Sequence, residues 1–251
     1  MTDPIVLGEI ATRAPAGVNK EKTKAETKEL LEELAELQNL LYAESRHAVL
    51  VVIQGMDASG KDGLIRGVFS GMNPLGVAAK AWQAPVAEEQ AHDFLWRIHR
   101  HTPARGMIQV FNRSHYEDVL VPAVHEGYDA EKLGKRMQAI NDFERLLQEH
   151  NDTHILKLYL HVSQEEQMER LTERMKDPAK LWKYDKKDFG EAQLRNEFIR
   201  VYEACFAACN QPEWIIVPAD QNWYKEYLVA KALRDLLKGL HMQYPQQKKG
   251  S

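Results

Sequence analysis

The sequence holds only two cysteines in 251 residues, Cys205 and Cys209. That excludes a fold stapled by disulfides and points to a reducing compartment. A metal site built on them would need further Cys or His ligands close by, and the sequence places none there. They sit four residues apart in a stretch of helical pattern, so they read as two small hydrophobes on one buried face. Long apolar runs are missing as well. No stretch approaches 18 apolar residues, and the N-terminus has no apolar signal region, so neither a membrane span nor a signal peptide is expected. The expected location is the cytoplasm. Excess positive charge is also absent: the formal net charge is −4. This argues against general nucleic-acid binding, and any attraction for an anionic ligand must come from a local basic cluster.

What is present is ordinary for a soluble domain, with 44 % hydrophobic and 28 % charged residues. The length suits one large α/β domain with a small mobile insert. Residues 1–19 carry prolines and glycines without sustained periodicity and read as a flexible arm. From residue 20, Leu30, Leu34, Leu37 and Leu41 follow the three-and-four spacing of an amphipathic helix. It is expected to pack on the domain or on a partner subunit. Five apolar runs follow: Ala48–Gln54, Val77–Ala84, Met107–Phe111, Ile155–Val162 and Trp214–Pro218. Helical patterns near 61–72, 87–101, 129–150, 163–176, 187–209 and 223–241 lie between and after them. Strands alternating with helices predict a parallel five-stranded sheet covered on both faces. The expected domain spans 20–243, with a lid at about 165–190, and 244–251 is a polar tail expected to fray.

The chemistry starts where the first strand ends. Gly55, Gly60 and Lys61 fit the spacing G-x-x-x-x-G-K of a phosphate-binding P-loop, between a buried strand and a helix start. Glycines let successive N–H groups turn inward, the helix N-terminus adds partial positive charge, and Lys61 adds a full one. The expected phosphate contacts are Gly55, Ala58, Ser59, Gly60, Lys61, Asp62 and Gly63. Asp62 departs from the pattern, because it replaces the hydroxyl residue that normally ligates Mg²⁺. The metal site is therefore expected to move onto carboxylates, with Asp57 the leading candidate and Asp62 second, unless Asp62 serves only the helix dipole.

A second constellation follows the third strand: Asn112, Arg113, Ser114, His115, Tyr116, Glu117 and Asp118. Polar groups at the C-terminal end of a parallel strand lie where such sheets bind ligands. Arg113 suits a bidentate grip on phosphate, and Asp118 or Glu117 a second metal carboxylate. Read alone, Ser114 and Glu117 also spell a helix capping box. His115 reads as a packed, hydrogen-bonded histidine. A third feature is the basic stretch Arg170–Lys187, seven cations against three acids. It reads either as a solvated helix face or as a lid closing over phosphates, and its place after the fourth strand favours the lid. Within it, Trp182 and Tyr184 are candidates to cover a nucleobase or to pack. Arg66, one turn beyond Lys61, and Lys80, at a strand end, are expected near the cradle, whereas Arg97, Arg100 and Arg105 read as ordinary surface charges.

These residues resemble the polyphosphate kinase 2 family. GMDASGKDG at 55–63 is similar to its first phosphate-binding segment and FNRSHYEDVLV at 111–121 to its second. VPAD at 217–220 and Trp223 resemble its last strand and following helix. The resemblance, over about 25–240, implies a thymidylate-kinase-like P-loop fold with a helical lid. It implies reversible transfer of the terminal phosphate of inorganic polyphosphate to AMP or ADP, with Mg²⁺ or a substituting Mn²⁺, and adenine or also guanine nucleotides as partners in a homo-oligomer. It places the metal on Asp57 and Asp118, polyphosphate on Lys61 and Arg66, and the nucleotide on Asn112, Arg113 and Glu117, with Arg170 and Arg174 acting on it from the lid; Lys80 is a further polyphosphate candidate by its place at the cradle edge. The lid sequence after Leu181 departs from what members acting on AMP lead one to expect. One reading of the residues agrees independently: no positioned general base is evident, and an already anionic phosphate acceptor needs none.

Overall fold

In a computed structural model of the protein, residues 4–178, 181–183 and 187–246 are described, without the side chains of Lys183 and Lys187. Tyr184, Lys180, Lys186 and the last part of the expected tail lie outside the described residues. Helix α1 (Lys20–Glu44) comes first, opened by the Asn19 side chain, which accepts from Lys22 N. Strand β1 (Ala48–Gln54) is buried along its full length and leads to α2 (Lys61–Phe69). Then follow β2 (Val77–Ala81), the one-turn helices α3 (Ala87–Gln90) and α4 (Trp96–His99), and β3 (Ile108–Asn112). Helices α5 (Glu117–His125) and α6 (Ala130–Asn151) lead to β4 (Thr153–His161). After α7 (Gln164–Lys176), α8 (Lys187–Gln193) and α9 (Arg195–Ala208) come β5 (Trp214–Pro218) and α10 (Asn222–Gly239).

The five strands form one parallel sheet in the order β2-β3-β1-β4-β5. The expected fold class stands. β1 sits at the centre because AVLVVIQ has no polar alternation and suits a strand covered on both faces. The leucine face of α1 is resolved in favour of the chain itself: Leu30, Leu34 and Leu41 are buried, and α1 packs along α10. Among the described residues no helix is long and apolar enough to cross a membrane. Cys205 and Cys209 are both free and buried, as small hydrophobes should be.

Several boundaries differ from the sequence reading. β2 stops at Ala81, three residues early, because Trp82 turns inward and is buried. The expected helix at 87–101 is two separate turns; Asp93 accepts from Leu95 N and interrupts the ladder between them. The stretch 187–209 breaks at Leu194, where the backbone leaves helical geometry. Residues 5–14 are pinned where a loose arm was expected. Leu7 is buried in the core, its N–H donates to Glu203, the Thr12 hydroxyl and Arg13 reach the Asp220 carboxylate, and Ala14 N donates to the Gln221 side chain. The stretch IVLGEIATRA follows neither a helix nor a strand period, so this docking has no sequence signature.

A buried polar cluster anchors β4 to the segment after β3. Lys157 Nζ donates to Glu144 (2.8 Å), to the Cys209 carbonyl (2.8 Å) and to Tyr116 Oη (3.3 Å). Tyr116 Oη donates to Glu144 (2.9 Å), and His115 Nε2 lies 3.1 Å from the same carboxylate. The side chains of His115, Glu144 and Lys157 are fully buried. Breaking one partner of a buried pair leaves the other charge uncompensated. Lys157→Met should therefore lower the unfolding free energy by about 3–5 kcal/mol in a denaturant melt, and Lys157→Met with Glu144→Leu should cost clearly less than Lys157→Met alone.

Candidate active site

The parallel sheet directs the turns after β1, β3, β4 and β5 to one edge, and the candidate residues collect there. The turn after β1 forms the candidate phosphate cradle. Gly55 has φ +148°, and a Cβ there would lie 2.8 Å from the Leu160 carbonyl of β4, so only glycine fits against that strand. Ala58 and Gly60 both have positive φ, which curls the loop toward the start of α2. Met56 and Ala58 are buried, yet among the described residues the N–H groups of Met56, Asp57, Ala58 and Gly60 have no acceptor. Buried N–H groups are rarely left orphaned, and a curl of them at a helix N-terminus is the chemistry of an anion site.

Lys61 Nζ folds back to the Gly55 (2.7 Å) and Met56 (3.0 Å) carbonyls. Burial, reinforced by the nearby Arg113 charge, pushes its ammonium down to about 8. Arg113, itself at positive φ, ties two elements together: its guanidinium pairs with Asp57 of the cradle and donates to Glu117 at 3.0 Å. Glu117 first, and Asp57 after it, hold that guanidinium firmly protonated, above its usual range. The Glu117 side chain therefore serves Arg113 and makes no capping box with Ser114, whose Oγ instead accepts from Tyr116 N. Asn112 Nδ2 donates to Asp62 Oδ1 at 2.7 Å, so the residue replacing the usual hydroxyl braces α2 against the end of β3.

Other expected site residues are placed differently. Asp118 makes no bond to Asp57; its Oδ2 faces Arg97 at 3.3 Å and its carbonyl accepts from Arg136. Burial pushes the Asp118 carboxyl up, against the pull of Arg97. Arg97, read from sequence as a surface charge, is buried, donates to the Gln83 carbonyl at 2.8 Å and lies over the Trp82 ring. Its signal, a cation three residues from Phe94 within a broken helix, is indistinguishable from a solvated one. Arg170 reaches no open groove: it donates to the carbonyls of Ala58 (3.0 Å), Ala219 (2.9 Å) and Asp220 (2.9 Å) and to Glu166 (2.9 Å). Arg174 pairs with Asp188 at 3.1 Å, which joins α7 to α8. Leu171, Phe189 and Ala192 of these helices pack on Ala58, so α7 and α8 rest on the loop after β1. Trp182 is 79 % exposed. Arg66 is exposed on α2, and Lys80 stacks over Trp82 on the edge strand, apart from the cradle. Lys225 of α10, not singled out in the sequence, is buried against the loop from behind.

The resemblance of the two motifs implies a divalent cation. Among the described residues no three His, Cys, Asp or Glu side chains converge on one point. The donor type suits a hard ion all the same: Asp57 and Asp118 are carboxylates, and Mg²⁺-type ions take one or two carboxylates and fill the rest with water and substrate phosphates.

Known proteins resemble the chain over most of its length. The family model described as Polyphosphate kinase 2 matches residues 17–248. The chain is 45 % identical over 220 residues to an AMP/ADP-polyphosphate phosphotransferase of Meiothermus ruber, covering 87 % of this chain and 82 % of the relative. It is 40 % identical over 230 residues to an ADP-polyphosphate phosphotransferase of Rhodopseudomonas palustris, covering 86 % and 79 %. The crystal structure of Polyphosphate Kinase 2 from Arthrobacter aurescens superposes with a TM-score of 0.92 at 37 % identity, over 100 % of this chain and 91 % of that one. The curled loop of unpaired N–H groups, the lysine beside it and the Arg113 bridge thus sit in a chain that belongs to the polyphosphate kinase 2 family.

Proposed function

We propose that this chain transfers the terminal phosphate of inorganic polyphosphate to AMP or ADP, reversibly and with Mg²⁺, for which Mn²⁺ can substitute. The observation that carries the reading is the phosphate cradle, found in a chain 45 % identical to an AMP/ADP-polyphosphate phosphotransferase. In this reading the unpaired N–H groups of Met56, Asp57, Ala58 and Gly60 and the Lys61 ammonium bind the phosphates of the donor. Asn112, Arg113 and Glu117, gathered at the end of β3, receive the acceptor nucleotide. An acceptor phosphate oxygen forms a bond to the terminal phosphorus as the bridging P–O bond of the donor breaks, and the shortened chain leaves as the anion. The acceptor oxygen is already charged, so no proton has to be removed, and the work is positioning and charge neutralisation. Asp57 and Asp118 would hold the cation, which when bound neutralises charge on the phosphates. Asp118 engages Arg97 through Oδ2 alone, and a carboxyl raised by burial gains from a nearby cation. Arg170 holds the loop in this reading, and Arg174 acts through the lid.

The decisive test is a donor–acceptor matrix of polyphosphate or ATP against AMP, ADP, GMP and GDP, with the products identified. ADP or ATP should form from polyphosphate without any nucleoside triphosphate; product from the ATP arms alone would replace this reading with an ordinary nucleoside monophosphate kinase. Lys61 should be visible in binding: tripolyphosphate affinity should fall between pH 7 and pH 9 as its ammonium titrates near 8, and Lys61→Ala should be weaker at pH 7 with a flatter profile. Asp57→Asn and Asp118→Asn should each raise the Mg²⁺ concentration for half-maximal rate by about tenfold or more, while a titration matching wild type would remove that residue from the metal site.

A further inference from the structure

The carbonyl oxygens of the cradle are turned outward onto three cationic side chains. Lys61 Nζ takes those of Gly55 and Met56, Arg170 takes that of Ala58, and Lys225 Nζ takes those of Ser59 and Gly60, both at 3.3 Å. Lys225 belongs to α10, more than 160 residues away in sequence, and its third donor is fixed by Asn222 Oδ1 at 2.9 Å. It is 1 % exposed, so it offers little to solvent. A Cβ on Gly60 would overlap Lys225 Nζ, which gives the second glycine of the motif a packing reason beyond its φ of +90°. A peptide unit is planar and trans, so its N–H points opposite to its C=O. Holding the Ser59 and Gly60 carbonyls therefore fixes the direction of the Gly60 and Lys61 N–H groups.

We propose that Lys225 is a positioning residue of the phosphate cradle: it grips the outer carbonyls so that the inner N–H groups face the polyphosphate donor before it arrives. The inference rests on the proposed polyphosphate reading. It assigns Lys225 to the donor side alone, because no bond joins it to Asn112, Arg113 or Glu117 among the described residues. Two alternatives predict different behaviour. A purely structural lysine would alter stability without altering anion binding. A lysine acting as one more remote positive charge would act through screened electrostatics, and its removal would flatten the salt dependence of donor binding. A positioning role changes donor affinity and leaves the salt dependence as in wild type. Burial, and then the neighbouring Arg170 charge, push the Lys225 ammonium down to about 8, so it stays protonated and able to donate at pH 7.

The test uses the full chain and Lys225→Met, which keeps length and apolar stem but removes the donors, beside Lys225→Arg, which keeps donors. Wild type must first show a rise in Tm on addition of tripolyphosphate and transfer from polyphosphate; failure there sinks the functional reading and not this one. For Lys225→Met, KM for polyphosphate should rise about tenfold or more, the loss of a hydrogen bond from a charged group. KM for the nucleotide should stay within about twofold, and the tripolyphosphate-induced rise in Tm should largely vanish. The slope of log KM against log salt should equal that of wild type, and Lys225→Arg should recover part of the donor affinity. A wild-type donor KM and Tm response in Lys225→Met would overturn the proposal, as would a flattened salt slope or an equal rise in both KM values. Should Lys225→Met not fold, Asn222→Ala removes the acceptor that orients the ammonium and should show the same donor-selective loss in smaller measure; an unchanged donor KM there would count against the proposal.

Discussion

Arg113 is the contact on which the site depends. Its backbone sits in the left-handed region immediately after β3, and its guanidinium spans Asp57 of one turn and Glu117 of the next. Two carboxylates brought this close would repel one another, and the cation between them converts that repulsion into attachment. Without it, the turn after β1 and the turn after β3 would be neighbours only through their strands. The strand order makes the span short, since β1 and β3 are paired in parallel with Ile53 opposite Asn112. The sheet topology and a single side chain therefore act together to assemble one site from segments more than fifty residues apart.

The rest of the site is organised by the same economy of charge. Each cation near the cradle has an assigned oxygen: Lys61 and Arg170 on loop carbonyls, Arg97 on Asp118, Arg174 on Asp188. Substrate phosphates would compete for the exposed part of this set, and Arg113, more than a third exposed, is the most accessible of the bridging cations. Helices α7 and α8 add an apolar contact on Ala58, so they are packed directly on the loop after β1.

The fold was legible because mostly apolar runs, AVLVVIQ of β1 above all, alternate with helical patterns, as in a parallel sheet covered on both faces. The cradle was legible because its spacing encodes a backbone shape. What the sequence could not display were pairings across distance. Asp118 looked equivalent to Asp57 as a carboxylate beside a phosphate motif, yet it faces Arg97 from a segment whose helical periodicity is broken. Arg170 and Arg174, four apart on one helical face, looked like matching lid arginines. The first is absorbed by loop carbonyls and the second by Asp188, and spacing alone does not separate a strut from a finger. Trp82 and Leu7 were hidden for a related reason: single apolar residues in irregular segments have no period to declare which way they face.

The lysine buried beneath the sheet has a consequence for how the chain finds its alignment. Lys157 pairs opposite Val52 on one side and Trp214 on the other, with its ammonium on Glu144. Side chains alternate across a strand, so a slip of β4 by one residue would point Lys157 through the opposite face of the sheet. That arrangement would leave an ammonium and a carboxylate each stranded among apolar neighbours, a penalty that no Val-for-Leu exchange in a misaligned strand would incur. The apolar residues of β4 are nearly interchangeable in shape and would tolerate several alignments; the one charged residue among them accepts only one.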